Sequence, residues 1–221
     1  FTAYGVGAAL VAAAALFVAL ARIAAPDFEK PEHGNPVRYM RLAPVAMGAT
    51  ALNAAIETAG LTFLTLYAMS LGWGEAEATQ LMACMMFGAI VLQVPIGWLG
   101  DRMDRERLIV ALAVVSALGA AIWPFVLASP VMTYALLFVW GGVFVGIYTM
   151  MLAIVGSRFS GSDLIGIYAG MGLFWGVGAL IGPALAGVAM QATGHGLPIF
   201  VALICGLFAL AAVAFGQKGR R

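Results

Sequence analysis

The residues best suited to chemistry lie in segment 43–70, which is otherwise almost entirely apolar. Glu57 lies near the centre of this segment, and Asn53 precedes it by four residues. Residues four apart share one face of a helix, so the two side chains can hydrogen-bond or line a cavity together. Burial disfavours a charged carboxylate, which suits a group that takes up and releases a proton. The alternative is a structural Glu57 whose hydrogen bond joins two helices.

An aromatic stripe forms a second candidate group. Trp140, Phe144 and Tyr148 recur every four residues within segment 131–156. Rings with polar edges suit an organic molecule in a concave, mostly apolar pocket, although the same spacing also fits plain helix packing. Gln93 is a further candidate for such a cavity. It fits equally a hydrogen bond between helices or a support for the chain near Gly97.

The densest charge cluster of the chain is the stretch "GWLGDRMDRERL", which begins at Gly97 and lies between two long apolar runs. Half of its residues are ionisable, with the signs interleaved: Asp101, Arg102, Asp104, Arg105, Glu106 and Arg107. A solvated turn anchored by its arginines would account for this composition. A task of its own is the other interpretation.

The elements that must position these residues are long and apolar. Hydrophobic residues make up 63% of the chain and charged residues 10%, where a soluble domain has about a quarter charged. The apolar runs cover residues 3–25, 43–70, 78–99, 107–128, 131–156, 164–190 and 197–215. Each reaches or nearly reaches the ~20 residues that cross a bilayer as a helix. No alternating pattern indicates a barrel, so the sequence predicts an all-α membrane protein with seven transmembrane helices.

The basic residues predict the orientation of these helices. All 11 Lys and Arg fall in alternate connections or in the tail, as Arg22, Lys30, Arg38, Arg41, Arg102, Arg105, Arg107, Arg158, Lys218, Arg220 and Arg221. Positive charge marks the cytoplasmic side, so we expect Phe1 outside and the C-terminus in the cytoplasm. The first connection, 26–42, is long and rich in proline and charge, which predicts a cytoplasmic linker between a leading helix, 1–25, and a six-helix domain, 43–221.

The charged stretch resembles the signature loop of the major facilitator superfamily. That pattern is Gly, three residues, Asp-Arg, one residue, Gly and then two basic residues; Gly97, Asp101, Arg102, Arg105 and Arg107 fit it. Asp104 replaces the usual glycine, and Glu106 replaces one basic residue, as is common in the second copy of the loop. In the sixth run, "GVGALIGPALAG" is similar to the family's glycine-proline motif at Gly178, Gly182, Pro183 and Gly187.

The resemblance implies a fold and a function. With its linker and topology, the chain looks like helices six to twelve of a twelve-helix transporter, and a chain starting at Phe1 fits a piece of a longer protein. The segments with Glu57 and the aromatic stripe would then be helices seven and ten, which line the central cavity. The loop would act as a latch that holds the cytoplasmic side closed, with Asp101 interacting with a helix N-terminus of the missing N-terminal half.

The function expected from this resemblance is secondary active transport of a small organic solute by alternating access. A proton or another ion would drive it as symport or antiport, including efflux, in a bacterial-type inner membrane. A non-transporting sensor or structural protein of the same fold is the alternative, because a fold does not fix a function. No constellation of an intramembrane enzyme is present in the sequence, and no cofactor, metal or nucleic-acid partner is expected: Cys84 and Cys205 lie in apolar runs without metal-ligand spacing.

Overall fold

The computed structural model describes residues 2–21 and 36–216. These residues form nine α-helices and no strand: α1 Thr2–Ala21, α2 Pro36–Leu42, α3 Pro44–Ser70, α4 Glu75–Val91, α5 Gln93–Gly100, α6 Arg105–Val126, α7 Pro130–Arg158, α8 Gly161–Ala192 and α9 Gly196–Gly216. The chain divides into two compact units, Phe1–Lys30 with α1 and Pro31–Arg221 with α2 to α9. The predicted all-α class is confirmed for the described residues.

Long helices occupy all seven predicted apolar runs. Six spans among the described residues are long and apolar enough to cross a membrane: α1, α4 together with α5, α6, α7, α8 and α9. The seventh, α3, has 27 residues, which is also long enough, but it carries Asn53, Glu57 and several threonines and is less apolar. The helix with the candidate chemistry is therefore the one that is not among these six spans.

The third predicted run is divided at Leu92, between α4 and α5. Pro95 lies in the first turn of α5 and has no N–H, so the bond that would reach the Val91 carbonyl cannot form. The backbone is held on either side by bonds from the Leu92 N–H to Gly88 and from the Ile96 N–H to Leu92. The eight residues of α5 consequently form a separate short helix that leads into the charged loop.

Part of the predicted linker is helical. Its residues 36–42 form the helix α2, and Pro36 occupies the first helical position, where its missing N–H costs nothing. The Tyr39 side chain is buried, and its ring lies where a Cβ on Gly166 of α8 would clash. Arg38 forms an ion pair with Asp163 at 3.2 Å. This helix is therefore fixed to the start of α8, while linker residues 26–35 lie outside the described residues.

Packing in the bundle follows three helix pairs, α3 with α8, α4 with α7, and α6 with α9. A Cβ on Gly178 would lie 3.0 Å from the Cα of Ala51, and one on Gly182 would lie 2.5 Å from the Cα of Ala55. Both glycines thus allow the backbones of α3 and α8 to touch, as small residues do between membrane helices. Gly187 has only an ordinary contact at 3.5 Å, with the Phe63 ring.

The other predicted member of this motif, Pro183, lies inside α8, directly after Gly182. A second set of close glycines joins α4 to α7, where a Cβ on Gly88 or Gly141 would clash with the backbone of the partner helix. Two sets of glycine contacts therefore hold α3 close to α8 and α7 close to α4. The helices α3 and α7 carry the candidate polar and aromatic residues.

Candidate functional site

A cavity of about 290 Å³ lies between α3, α4 and α7, and side chains of α6, α8 and α9 complete its wall. Five of the residues singled out in the sequence line it: Asn53, Glu57, Trp140, Phe144 and Tyr148. Small-molecule sites in proteins are concave and mostly apolar, with a few placed polar groups, and their volumes begin near 300 Å³. The structure thus brings the polar pair and the aromatic stripe to one site.

Asn53 and Glu57 form a hydrogen-bonded pair on α3. The Asn53 Nδ2 atom donates to the Glu57 Oε2 atom at 3.3 Å. Asn53 is only 4% exposed, whereas Glu57 is partly exposed toward the cavity. The pair arises because residues four apart lie one above the other on a helix face. The carboxylate is thereby oriented by a neutral donor, without a cation beside it in the cavity lining.

The aromatic stripe is held rigidly along α7. The rings of Trp140 and Phe144 stack at 5.0 Å with an 8° angle between their planes, and the Trp140 N–H donates to the Ser116 carbonyl at 2.8 Å. Tyr148 meets Trp175 of α8 edge to face at 5.6 Å. Trp140 and Phe144 are buried, while Tyr148 is partly exposed. These three residues therefore both pack against neighbouring helices and line the cavity.

Sequence reasoning missed several residues of this cavity. Trp175 on α8, Trp123 on α6, and Met85 and Met86 on α4 line it as well. Tryptophan and methionine are ordinary residues in apolar helices, so composition alone gave no signal. Only the helix pairing, α3 with α8 and α4 with α7, brings them to the same place.

Gln93, predicted as a cavity candidate, does not line this cavity. Its Nε2 atom donates to the carbonyls of Ala89 at 2.7 Å and Gly142 at 3.4 Å, and its Oε1 atom accepts from the Thr149 hydroxyl at 2.7 Å. The side chain joins the start of α5 to α7. This is the hydrogen bond between helices that the sequence analysis gave as an alternative role for Gln93. It lies next to the break at Leu92.

The charged stretch forms a short loop, residues 101–104, between α5 and α6. Asp104, which replaces the usual family glycine, caps α6 by accepting from the Arg107 backbone N–H at 3.0 Å. A Cβ on Gly97 would meet nothing within 4 Å, so this part of α5 borders open space. The Arg107 side chain is exposed. Asp104, which differs from the family pattern, thus serves as the N-cap of α6.

Arg102 and Arg105 are held by contacts with α5, with Asp101 and with α7. Arg105 pairs with Asp101 at 3.2 Å and also donates to the carbonyls of Gly100 and Ala153, the latter on α7. The Arg102 guanidinium lies 3.8 Å from the centre of the Trp98 ring. The Asp101 side chain is 74% exposed, so one oxygen pairs with Arg105 while the carboxylate remains open to other partners.

The next charged residue of the loop region, Glu106, forms an ion pair with Arg158 at the end of α7, at 2.6 Å. Both the Arg105 and the Glu106 contacts therefore connect the loop with α7, the helix that carries the aromatic stripe. The loop contacts and the cavity lining therefore share this helix.

Comparison with known protein families identifies the family of this chain. The family model described as Major Facilitator Superfamily matches residues 45–220. No curated protein and no solved structure matches the chain. The matched residues include α3 to α9, and with them the cavity, the glycine contacts and the charged loop.

Proposed function

The chain belongs to the Major Facilitator Superfamily, and on this premise we propose that it is a secondary active transporter of a small organic solute, driven by protons through Glu57. Members of the family are membrane transporters rather than enzymes, so a multi-pass membrane protein with a small-molecule substrate is the coarser conclusion. The single observation that supports the finer proposal is the position of Glu57. It is the only charged side chain among the described residues that line the aromatic cavity.

Proton coupling requires a group that changes its protonation when the cavity changes its access. A carboxyl group in a membrane helix is energetically costly, and such groups are rare unless they serve a function or are paired. Asn53 gives Glu57 a hydrogen bond without a compensating positive charge, so both the protonated and the ionised form can be held in place. This arrangement supports Glu57 as the proton site and Asn53 as its positioning residue.

Alternating access also requires a device that closes the cytoplasmic side. We propose that the loop at 101–107 serves this purpose, with the exposed Asp101 carboxylate reaching a helix N-terminus of a preceding six-helix half of the protein. The family resemblance supports that partner, and the alternate placement of the basic residues supports a cytoplasmic loop and C-terminus in a bacterial-type inner membrane. The twelve-helix protein, its symport or antiport direction and the cytoplasmic closure are parts of the same proposal.

The experiment that tests this proposal is reconstitution of the protein into liposomes that contain a pH-sensitive dye. Amines, sugars, carboxylates and nucleosides are added in turn, and proton movement that depends on the added solute is recorded. A proton-coupled transporter gives such movement, in excess of that in protein-free liposomes, for at least one solute class. A protein that moves labelled solute with no accompanying proton flux contradicts the proton coupling and leaves the coarser transport function.

A further inference from the structure

We infer that the ligand of this cavity is an organic amine in its ammonium form, carrying an apolar or aromatic body. This inference rests on the proposed function, since it names the solute class for the same cavity. It depends on an observation that the proton role does not use. The Asn53 Oδ1 atom is buried and has no hydrogen-bond partner among the described residues.

The two acceptors of the cavity are adjacent. One amide N–H of Asn53 donates to Glu57, whereas the Asn53 carbonyl oxygen is left as an acceptor, and this is the one hydrogen bond to the Glu57 carboxylate among the described residues. A buried polar atom without a partner costs free energy, and a ligand that donates to it recovers this cost. Adjacent carbonyl and carboxylate oxygens are complementary to a donor with several N–H groups, and a primary ammonium group has three.

The charge of the cavity points to the same class. Glu57 is the only ionisable acid or base, tyrosine apart, among the described residues that line it, and no Lys, Arg or His is present there. An anionic ligand would place two negative charges in one apolar cavity, whereas a cation neutralises Glu57. The rings of Tyr148 and Trp175 add faces that attract a cation, and Met85 and Met86 offer adaptable apolar surface for the rest of the molecule.

One donor in the wall is also without a partner. The Trp123 Nε1 atom is buried and unpaired among the described residues, and Trp123 meets Trp140 edge to face at 4.9 Å. A single neutral donor suits a hydroxyl or ether oxygen elsewhere on the ligand, and it does not offset the charge of Glu57. The cavity volume of about 290 Å³ restricts the ligand to a small molecule.

Equilibrium binding to the purified full-length protein in detergent at neutral pH tests this inference. The probes share one body: phenylbutylamine, its trimethylammonium analogue, phenylbutanol and phenylbutyrate. Quenching of tryptophan fluorescence reports binding. Because hydrogen bonds to charged groups are stronger than neutral ones, we expect the amine to bind about tenfold or more tightly than the alcohol, and the carboxylate to bind least. The trimethylammonium compound, which has no N–H, should bind more weakly than the amine.

Two variants separate the two acceptors. Glu57→Gln should remove most of the preference for amine over alcohol, and Asn53→Leu should reduce the preference for the primary amine over its trimethyl analogue. Thr58→Val is the matched control on α3, because the Thr58 hydroxyl bonds to the Ala54 carbonyl and does not line the cavity. This control should keep the full order of affinities.

The ligand series on the unmodified protein decides the matter even if a variant fails to fold. Equal binding of amine and alcohol, or tighter binding of the carboxylate, overturns the inference, and so does equal binding of the primary and trimethyl compounds. Failure of the proposed function has a different signature. A protein that prefers the amine but moves no proton with it retains the binding class and loses the coupling, and a proton-coupled carrier that prefers the alcohol does the reverse.

Discussion

Replacing Gly182 by alanine should separate α3 from α8 and destabilise the bundle. A Cβ at this position lies 2.5 Å from the Ala55 Cα, whereas carbon atoms pack at about 3.5–4.0 Å, so the helices must move apart by about 1 Å or more. Overpacking of this kind costs about 1–3 kcal/mol. Alanine also improves helix propensity by up to about 1 kcal/mol, which a matched control must cancel.

Gly172→Ala is that control, because it lies on the same helix and a Cβ there meets nothing within 4 Å. The melting temperature changes by about 2–4 °C per kcal/mol in a domain of this size, so Gly182→Ala should melt about 2–12 °C below Gly172→Ala. Gly178→Ala should melt below Gly172→Ala as well, since its Cβ would likewise clash with the backbone of α3, at the Ala51 carbonyl. Thermal unfolding, monitored by size-exclusion chromatography of heated samples, measures this difference. Equal melting temperatures of Gly182→Ala and Gly172→Ala would refute the close contact of α3 and α8.

Three further predictions concern the loop and its connection to α7. Asp104→Ala removes the cap of α6 and should cost about 1 kcal/mol in thermal stability, and an unchanged melting temperature would show that the cap is not used. Asp101→Asn should lower transport and widen spin-label distances across the cytoplasmic face, with little loss of folded protein; unchanged distances would leave the loop as a solvated anchor. Gln93→Leu leaves the Thr149 hydroxyl without its partner on α5 and should reduce transport more than it reduces ligand binding. Transport and binding are measured on the same preparation, and an equal loss of both would contradict a role of Gln93 outside the cavity.

Periodicity within single helices was sufficient to predict much of the cavity. The four-residue spacing of Asn53 and Glu57 predicts their shared face, and the structure joins them by a hydrogen bond. The same spacing brings Phe144 and Tyr148 to the cavity that Glu57 lines. These predictions depend only on the geometry of one helix, which the sequence specifies locally.

Features that depend on helix pairing could not be predicted in this way. Trp175 and Met85 reach the cavity because α8 packs on α3 and α4 packs on α7, and nothing in their own segments distinguishes them. The break at Leu92 had a local signal, Pro95, but a hydropathy window spans the break because one proline lowers the mean of a long apolar run only slightly. The helix at 36–42 was not predicted because the linker around it is rich in proline and charge, and because the contacts of Tyr39 and Arg38 with α8 depend on helix pairing.

The most direct test of the account is proton-driven transport by Glu57→Gln. Glutamine keeps the shape and the hydrogen bond with Asn53 but cannot titrate, so solute uptake driven by a pH gradient should disappear while binding of a neutral probe and thermal stability persist. Thr58→Val, measured on matched proteoliposomes, should retain uptake. Normal pH-driven uptake by Glu57→Gln would contradict the proton role, and Glu57 would then be a structural residue that joins helices.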